Sequence, residues 1–99
     1  MRLTSVERVF EAMGRPADVT VAQVTRLIDE YTGAMLYNWN LPTDPVPPAV
    51  EQACIISVVR AIVKERETGL RQRPATVPIG RDCAYLLDIW TRPMDVTTA

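Results

Sequence analysis

The sequence predicts an all-α fold: a small bundle of about four helices around one long central apolar helix, with extended loops and a C-terminal arm. Apolar side chains recur at the i, i+3, i+4 spacing of amphipathic helices, and glycine and proline separate these stretches. Between residues 53 and 63 only Ser57 and Arg60 are polar. The 99 residues fit one domain, residues 1–99, in which residues 94–99 are expected to form a flexible tail.

The first helix has start and stop signals at both ends. Thr4, followed three residues later by Glu7, is a capping-box pattern. Gly14 and Pro16 supply a left-handed cap and a residue that cannot continue the helix. Between these signals the spacing predicts one apolar face, made of Val6, Val9, Phe10 and Met13.

The second helix repeats this arrangement. Thr20 with Gln23 forms its capping pattern. Gly33 weakens its far end, so we expect the helix to end near residue 32 or to fray towards residue 37. Its apolar stripe covers about four turns and consists of Val21, Val24, Leu27, Ile28, Tyr31 and Met35.

A proline-rich break precedes the long helix. Residues 38–48 contain four prolines, which exclude a regular helix, and we expect Trp39 and Leu41 to pin this loop to the body. Pro48 then opens a helix over residues 48–67, about 30 Å long. Its many β-branched side chains also suit a buried strand, but its length and its flanking charges favour a helix.

The last third of the chain contains a connector and one short helix. Residues 70–80 are polar and punctuated by prolines, so they are expected to be irregular. Asp82 is then expected to cap a helix that the proline at position 93 ends. The predicted apolar stripe of this helix is Cys83, Leu86, Leu87 and Trp90.

The residue types exclude most kinds of catalysis. Histidine is absent, which removes the commonest general base and metal ligand. Cys54 and Cys83 do not form a zinc-binding pair; their apolar surroundings predict buried free thiols in a reducing compartment, with a disulfide between packed helices as the alternative. No phosphate-binding glycine loop occurs. We therefore expect no enzyme, no metal and no cofactor. The apolar run at residues 53–63 is about half the length that spans a bilayer, so no membrane partner is expected.

The charged residues support few functional interpretations. Net charge is -1, which gives no overall attraction to nucleic acid. Asp29 and Glu30 point about 100° apart on a helix, so they predict a solvated face and not a carboxylate pair. Arg60 interrupts the apolar run. Its guanidinium therefore either reaches water or pairs with a neighbouring subunit or with an acid such as Asp29, Glu30 or Asp88.

Two motifs occur in a characteristic order. The stretch Ile-Asp-Glu-Tyr-Thr-Gly at residues 28–33 lies late in the second helix, and Val-Pro-Pro-Ala-Val at residues 46–50 opens the long apolar helix. With the capped first helix, this layout resembles the small head-tail connector (adaptor) proteins of tailed bacteriophages and prophages. The resemblance covers residues 3–69. The stretch at residues 38–46 and the Arg-Pro connector depart from the family pattern.

The resemblance implies a structural virion protein of the phage neck, with a role in genome packaging. Such proteins form an oligomeric ring, commonly a dodecamer, beneath the portal protein. The ring extends the DNA channel, lies close to the packaged DNA without reading its sequence, and provides the platform for a tail terminator or stopper protein. The implied location is the head-tail junction of the virion, reached from the host cytoplasm during assembly.

The same resemblance suggests contact residues. The expected portal-docking residues are Trp90, Arg92, Pro93 and Met94. The expected subunit-interface residues are Arg71, Arg73 and Trp39. Aromatic, arginine and methionine side chains are enriched at interface cores, although Trp90 also suits the core of the last helix.

Two other functions remain open at this point. The first two helices have a helix-turn-helix spacing, and a small DNA-binding regulator would use Arg15 or Arg26, although the acids Asp29 and Glu30 oppose docking on DNA. An enzyme or a small-molecule binder would need a convergent polar set, such as a buried pocket with Arg60 and two acids.

Overall fold

The structure, a computed structural model, describes residues 1–91 of the chain. Four α-helices follow one another in this range, and a single 3-10 turn, Asp88–Trp90, extends the last of them. The helices are α1 (Val6–Met13), α2 (Val21–Asn38), α3 (Pro48–Thr68) and α4 (Arg81–Leu87). These 91 residues contain no strand, and the predicted all-α class is confirmed. The predicted flexible tail, residues 94–99, lies outside the described residues.

Several helix boundaries follow the local signals in the sequence. Gly14 ends α1 in the left-handed conformation with φ of 76°, and Gly69 ends α3 with φ of 69°. The Thr20 hydroxyl caps α2 by accepting a hydrogen bond from the Gln23 amide at 3.1 Å. Helix α2 continues through Gly33 to Asn38, which agrees with the longer of its two predicted extents to within one residue. Burial of its apolar stripe outweighs the low helix propensity of one glycine.

The predicted cap of α1 is wrong by one residue. Ser5 caps the helix, with its hydroxyl accepting from the Arg8 amide at 3.2 Å. Thr4 is buried and instead donates to Glu51 of α3 at 2.9 Å. Glu7 does not complete a capping box, because its carboxylate pairs with Arg15. Thr4 therefore fixes α1 to α3, a contact across 47 residues of sequence that local pattern could not indicate.

The predicted start of the last helix is also wrong. Gly80, not Asp82, is the N-cap of α4, and Asp82 lies in the first turn of the helix. A Cβ atom at Gly80 would stand 2.7 Å from a guanidinium nitrogen of Arg60, so glycine leaves room for that side chain. Of the predicted stripe, Cys83 and Leu87 are buried, but Leu86 is 37% exposed.

The core forms where α3 packs against α1, α2 and α4. Helix α2 runs antiparallel to α3, since Gln23 near its start bonds to Glu65 near the end of α3. Trp39 and Leu41 pack against the core, as the sequence predicted for this loop. The buried apolar residues are Leu3, Val9, Val19, Val24, Leu27, Ile28, Tyr31, Met35, Val50, Ala53, Cys54, Val58, Ala61, Ile62, Cys83 and Leu87.

Two valines of α2 test this packing directly. Val24 is 0% exposed, whereas Val21, one turn earlier, is 62% exposed. We expect Val24→Ala to lower the free energy of unfolding by about 2 kcal/mol, because it leaves a cavity in the core. Val21→Ala should change it by less than about 0.5 kcal/mol. Urea unfolding followed by circular dichroism measures both, and equal effects of the two variants would contradict the packing described.

Candidate functional site

A groove of about 610 Å³ lies between the start of α2 and the end of α3. Apolar residues such as Val19 and Ile62 line it together with charged residues of both signs. An adjoining hollow of about 300 Å³ shares Arg26 and Arg71 with the groove. The groove is lined by Asp18, Val19, Thr20, Ala22, Gln23, Arg26, Ile62, Glu65, Arg66, Gly69, Leu70 and Arg71.

The Glu65 carboxylate is the most heavily bonded group in this groove. Its Oε1 accepts from the Gln23 side chain at 2.8 Å, and its Oε2 accepts from the Gln72 amide at 2.6 Å. The Arg26 guanidinium also donates to Oε2 and, at 3.0 Å, to the Gln72 carbonyl. The Glu65 side chain is only 11% exposed. One carboxylate therefore joins α2, α3 and the connector; we call these four residues the Glu65 network.

These bonds determine what Glu65 can do chemically. Burial raises the pKa of its carboxyl group, but the hydrogen bonds from Gln72, Arg26 and Gln23 and the charge of Arg26 outweigh burial, so the pKa lies below its ordinary value. Glu65 is therefore ionised at neutral pH, and both of its oxygens already accept hydrogen bonds. A general acid must hold a proton, and a general base must be free to take one. Glu65 fits neither role and serves as a structural anchor.

Tyr31 is a second anchor for the connector. Its buried hydroxyl donates to the Val77 carbonyl. Burial, with the charges of Glu30 and Glu65, raises the pKa of Tyr31 to about 12. The phenol therefore stays protonated and keeps this hydrogen bond at neutral pH.

The cysteines are free and buried, as the sequence predicted. Burial raises the pKa of Cys54 to about 12 and also raises the pKa of Cys83. The reactive form of cysteine is the thiolate. Neither thiol is therefore activated as a nucleophile, although Cys83 lies 3.9 Å from the Ser57 hydroxyl.

Arg60 does not bond to any acid named from the sequence. Its guanidinium reaches the surface and donates to Asp82 of α4 at 2.9 Å. This hydrogen bond is the main cause that lowers the pKa of Asp82 to about 2. Asp82 was missed as a partner because it was expected to cap the helix. Asp29 and Glu30 point to different partners, Arg2 and Arg26, so they form no carboxylate pair, as predicted.

The residues expected at the subunit interface are not all together. Arg71 and Arg73 are exposed on the connector beside the groove. Trp39 is half-buried near the other end of α2, where it forms an isolated β-bridge with Thr91. Trp90 is also half-buried and packs against the core. The other expected portal-docking residues, Arg92, Pro93 and Met94, lie outside the described residues.

An exposed apolar surface at the end of the described chain was not foreseen. Tyr85 is 69% exposed and Ile89 is 81% exposed, and Leu86 lies beside them. Tyr85 and Leu86 lie in the last turn of α4, four and three residues before Ile89 of its 3-10 extension. We call these three residues the C-terminal apolar surface. The spacing was visible in the sequence, but Leu86 was assigned to the core stripe and the other two were not considered.

The arginines that a DNA-binding regulator would use are already engaged. Arg15 pairs with Glu7, and Arg26 is held in the Glu65 network. In the described part of the chain no cluster of histidine, cysteine, aspartate or glutamate could hold a metal ion. No helix of residues 1–91 combines the length and apolar character that crossing a membrane requires. Comparison with protein-family models, with curated proteins and with solved structures finds no match to this chain.

The Glu65 network can be tested with two glutamates of the same helix. We expect Glu65→Gln to lower the free energy of unfolding by about 3 kcal/mol, because an amide has one accepting oxygen where the carboxylate uses two, and carries no charge to pair with the partly buried Arg26. Glu67→Gln is the matched control. Its side chain is 62% exposed, so the change should be less than about 0.5 kcal/mol. A similar loss in both variants would contradict the role of Glu65.

The effect of Glu65→Gln should also depend on pH. The folded-state pKa of Glu65 lies below its ordinary value of 4.5. The ionised carboxylate therefore contributes its full share to the free energy of unfolding above pH 4.5, and this contribution is lost as the pH falls through the folded-state pKa. The stability difference between wild type and variant should therefore be largest near neutral pH and shrink in acid. Urea melts across this range measure it, and a difference that stays constant would show that Glu65 is not held as described.

Proposed function

We propose that this protein is a structural subunit of a tailed bacteriophage or prophage, a head-tail connector that forms a ring under the portal. The proposal rests on the resemblance over residues 3–69, above all on the motifs at residues 28–33 and 46–50. In it, α3 serves as the central apolar helix against which the other helices pack. The protein acts at the head-tail junction, after assembly from the host cytoplasm.

The C-terminal apolar surface is the observation that best supports an assembly role. Tyr85, Leu86 and Ile89 are exposed on a segment of only ten residues, α4 and its 3-10 extension. Exposed apolar surface that is contiguous commonly marks a contact with another protein. A small domain also gains stability by burying such surface in an oligomer. In our proposal this surface meets another subunit or the portal.

The chemistry of the described residues agrees with a function in binding. The carboxylate of Glu65, the phenol of Tyr31 and the buried thiols are each held in an unreactive state. A connector requires surfaces that meet other subunits and requires no activated group. Its partners are copies of itself, the portal protein and a tail terminator or stopper protein, with packaged DNA nearby.

Assembly with a portal tests this function. We expect the purified protein to add to the portal ring encoded in the same genome as a closed set of copies, commonly twelve, detected by native mass spectrometry. A double variant, Tyr85→Ser with Ile89→Ser, should add at least about tenfold more weakly, because it removes exposed apolar side chains. Val21→Ser is the control, since Val21 is similarly exposed but lies at the start of α2, outside the C-terminal apolar surface.

Two results would overturn the proposal. The first is a protein that stays monomeric and does not bind the portal ring at high concentration. The second is a gene that lies far from any portal or capsid gene. Circular dichroism of each variant separates loss of binding from loss of folding.

A further inference from the structure

Most charged side chains in the described part of the chain form ion pairs within the same chain. Among residues 1–91, five have no such partner. They are Arg71, Arg73, Arg81, Asp44 and Asp88. All five are exposed, so their charges face solvent. Four of the five, all except Arg81, lie towards one or the other end of α2.

Two of the unpaired arginines lie on the connector that follows α3, Arg71 where α2 begins and α3 ends, and Arg73 further along α2. Arg71 lines the groove together with Thr20, the cap of α2, and Gly69, the cap of α3. Arg73 lines the adjoining hollow. Next to Arg71, Leu70 is 67% exposed. We call Leu70, Arg71 and Arg73 the arginine end.

The two unpaired acids lie at the opposite end of α2. Asp44 is in the loop that follows this helix, and Asp88 begins the 3-10 turn. The Asn40 amide donates to the Trp90 carbonyl at 2.8 Å, which holds the turn beside the start of the loop. Next to Asp88, Ile89 is 81% exposed. We call Asp44, Asp88 and Ile89 the acidic end; it lies at the opposite end of α2 from Arg71, and α2 is about 27 Å long.

We propose that the arginine end of one copy binds the acidic end of the next copy. The two ends carry opposite charges that form no ion pair within residues 1–91, and each has one exposed apolar side chain beside its charges. An apolar centre with a charged rim is the usual composition of a protein interface. Charge complementarity of this kind selects the partner and its orientation.

Such a contact joins two different surfaces, so each copy keeps one end free for a further copy. A contact of this type generates a ring when its rotation closes, and a filament when it does not. The inference rests on the proposed function, because it identifies which surfaces of the connector meet in the ring. A contact between opposite charges also requires that assembly becomes weaker as the salt concentration rises, because salt screens the charges.

Charge reversal tests the pairing of the two ends. Variant A carries Arg71→Glu and Arg73→Glu, so both of its ends are acidic. Variant B carries Asp44→Lys and Asp88→Lys, so both of its ends are basic. The matched control is Arg81→Glu, which reverses an exposed and unpaired arginine away from both ends. Assembly of each protein alone, and of an equal mixture of A and B, is measured by native mass spectrometry and sedimentation, with and without a portal ring.

The mixture gives the decisive result. We expect wild type and Arg81→Glu to assemble, A and B alone to assemble at least about tenfold more weakly, and the mixture to form assemblies in which A and B alternate. If A and B each assemble like wild type, the two ends do not meet and the inference is wrong, while the ring function stands. If wild type assembles neither alone nor on the portal, the proposed function fails with it.

Discussion

The Glu65 carboxylate is the contact on which the arrangement of the second half of the chain depends. It accepts hydrogen bonds from α2 through Gln23 and Arg26, and from the connector through the Gln72 amide. The connector contains no helix or strand of its own, so side-chain hydrogen bonds and the packing of Val77 and Ile79 against the core hold it in place. Together with Tyr31, which donates to the Val77 carbonyl, Glu65 fixes the connector to α2.

The sequence predicted those features that depend on neighbouring residues. The end of α1 at Gly14 and the cap of α2 at Thr20 were visible because each acts within one helical turn. Thr4 and Asp82 were misread because their partners, Glu51 and Arg60, lie 47 and 22 residues away in the sequence. Glu65 was overlooked because Arg26 and Gln23 lie 39 and 42 residues away, although Gln72 is only 7 residues away. Only the folded chain shows that a residue with capping chemistry has a stronger partner elsewhere.

The same internal pairing shapes the surface available for function. Arg26, which the sequence suggested for DNA, and Arg60, which it suggested for other acids, both form ion pairs within the chain. The charged residues that form no ion pair within residues 1–91 lie on the connector, in the loop after α2, at the start of α4 and in its 3-10 turn. Exposed apolar side chains accompany the charges at both ends of α2. This distribution agrees with the proposed role, in which the protein binds copies of itself and other proteins.

Hydrogen exchange at the Gln72 amide is the most direct measurement of whether Glu65 holds the connector. In a loop without secondary structure an amide normally exchanges fast, unless a stable hydrogen bond protects it. The account predicts that NMR-detected exchange at Gln72 is as slow as in α3, and that Glu65→Gln removes this protection while Glu67→Gln does not. Exchange at Gln72 as fast as at its exposed neighbour Arg71 in the wild type would contradict the account.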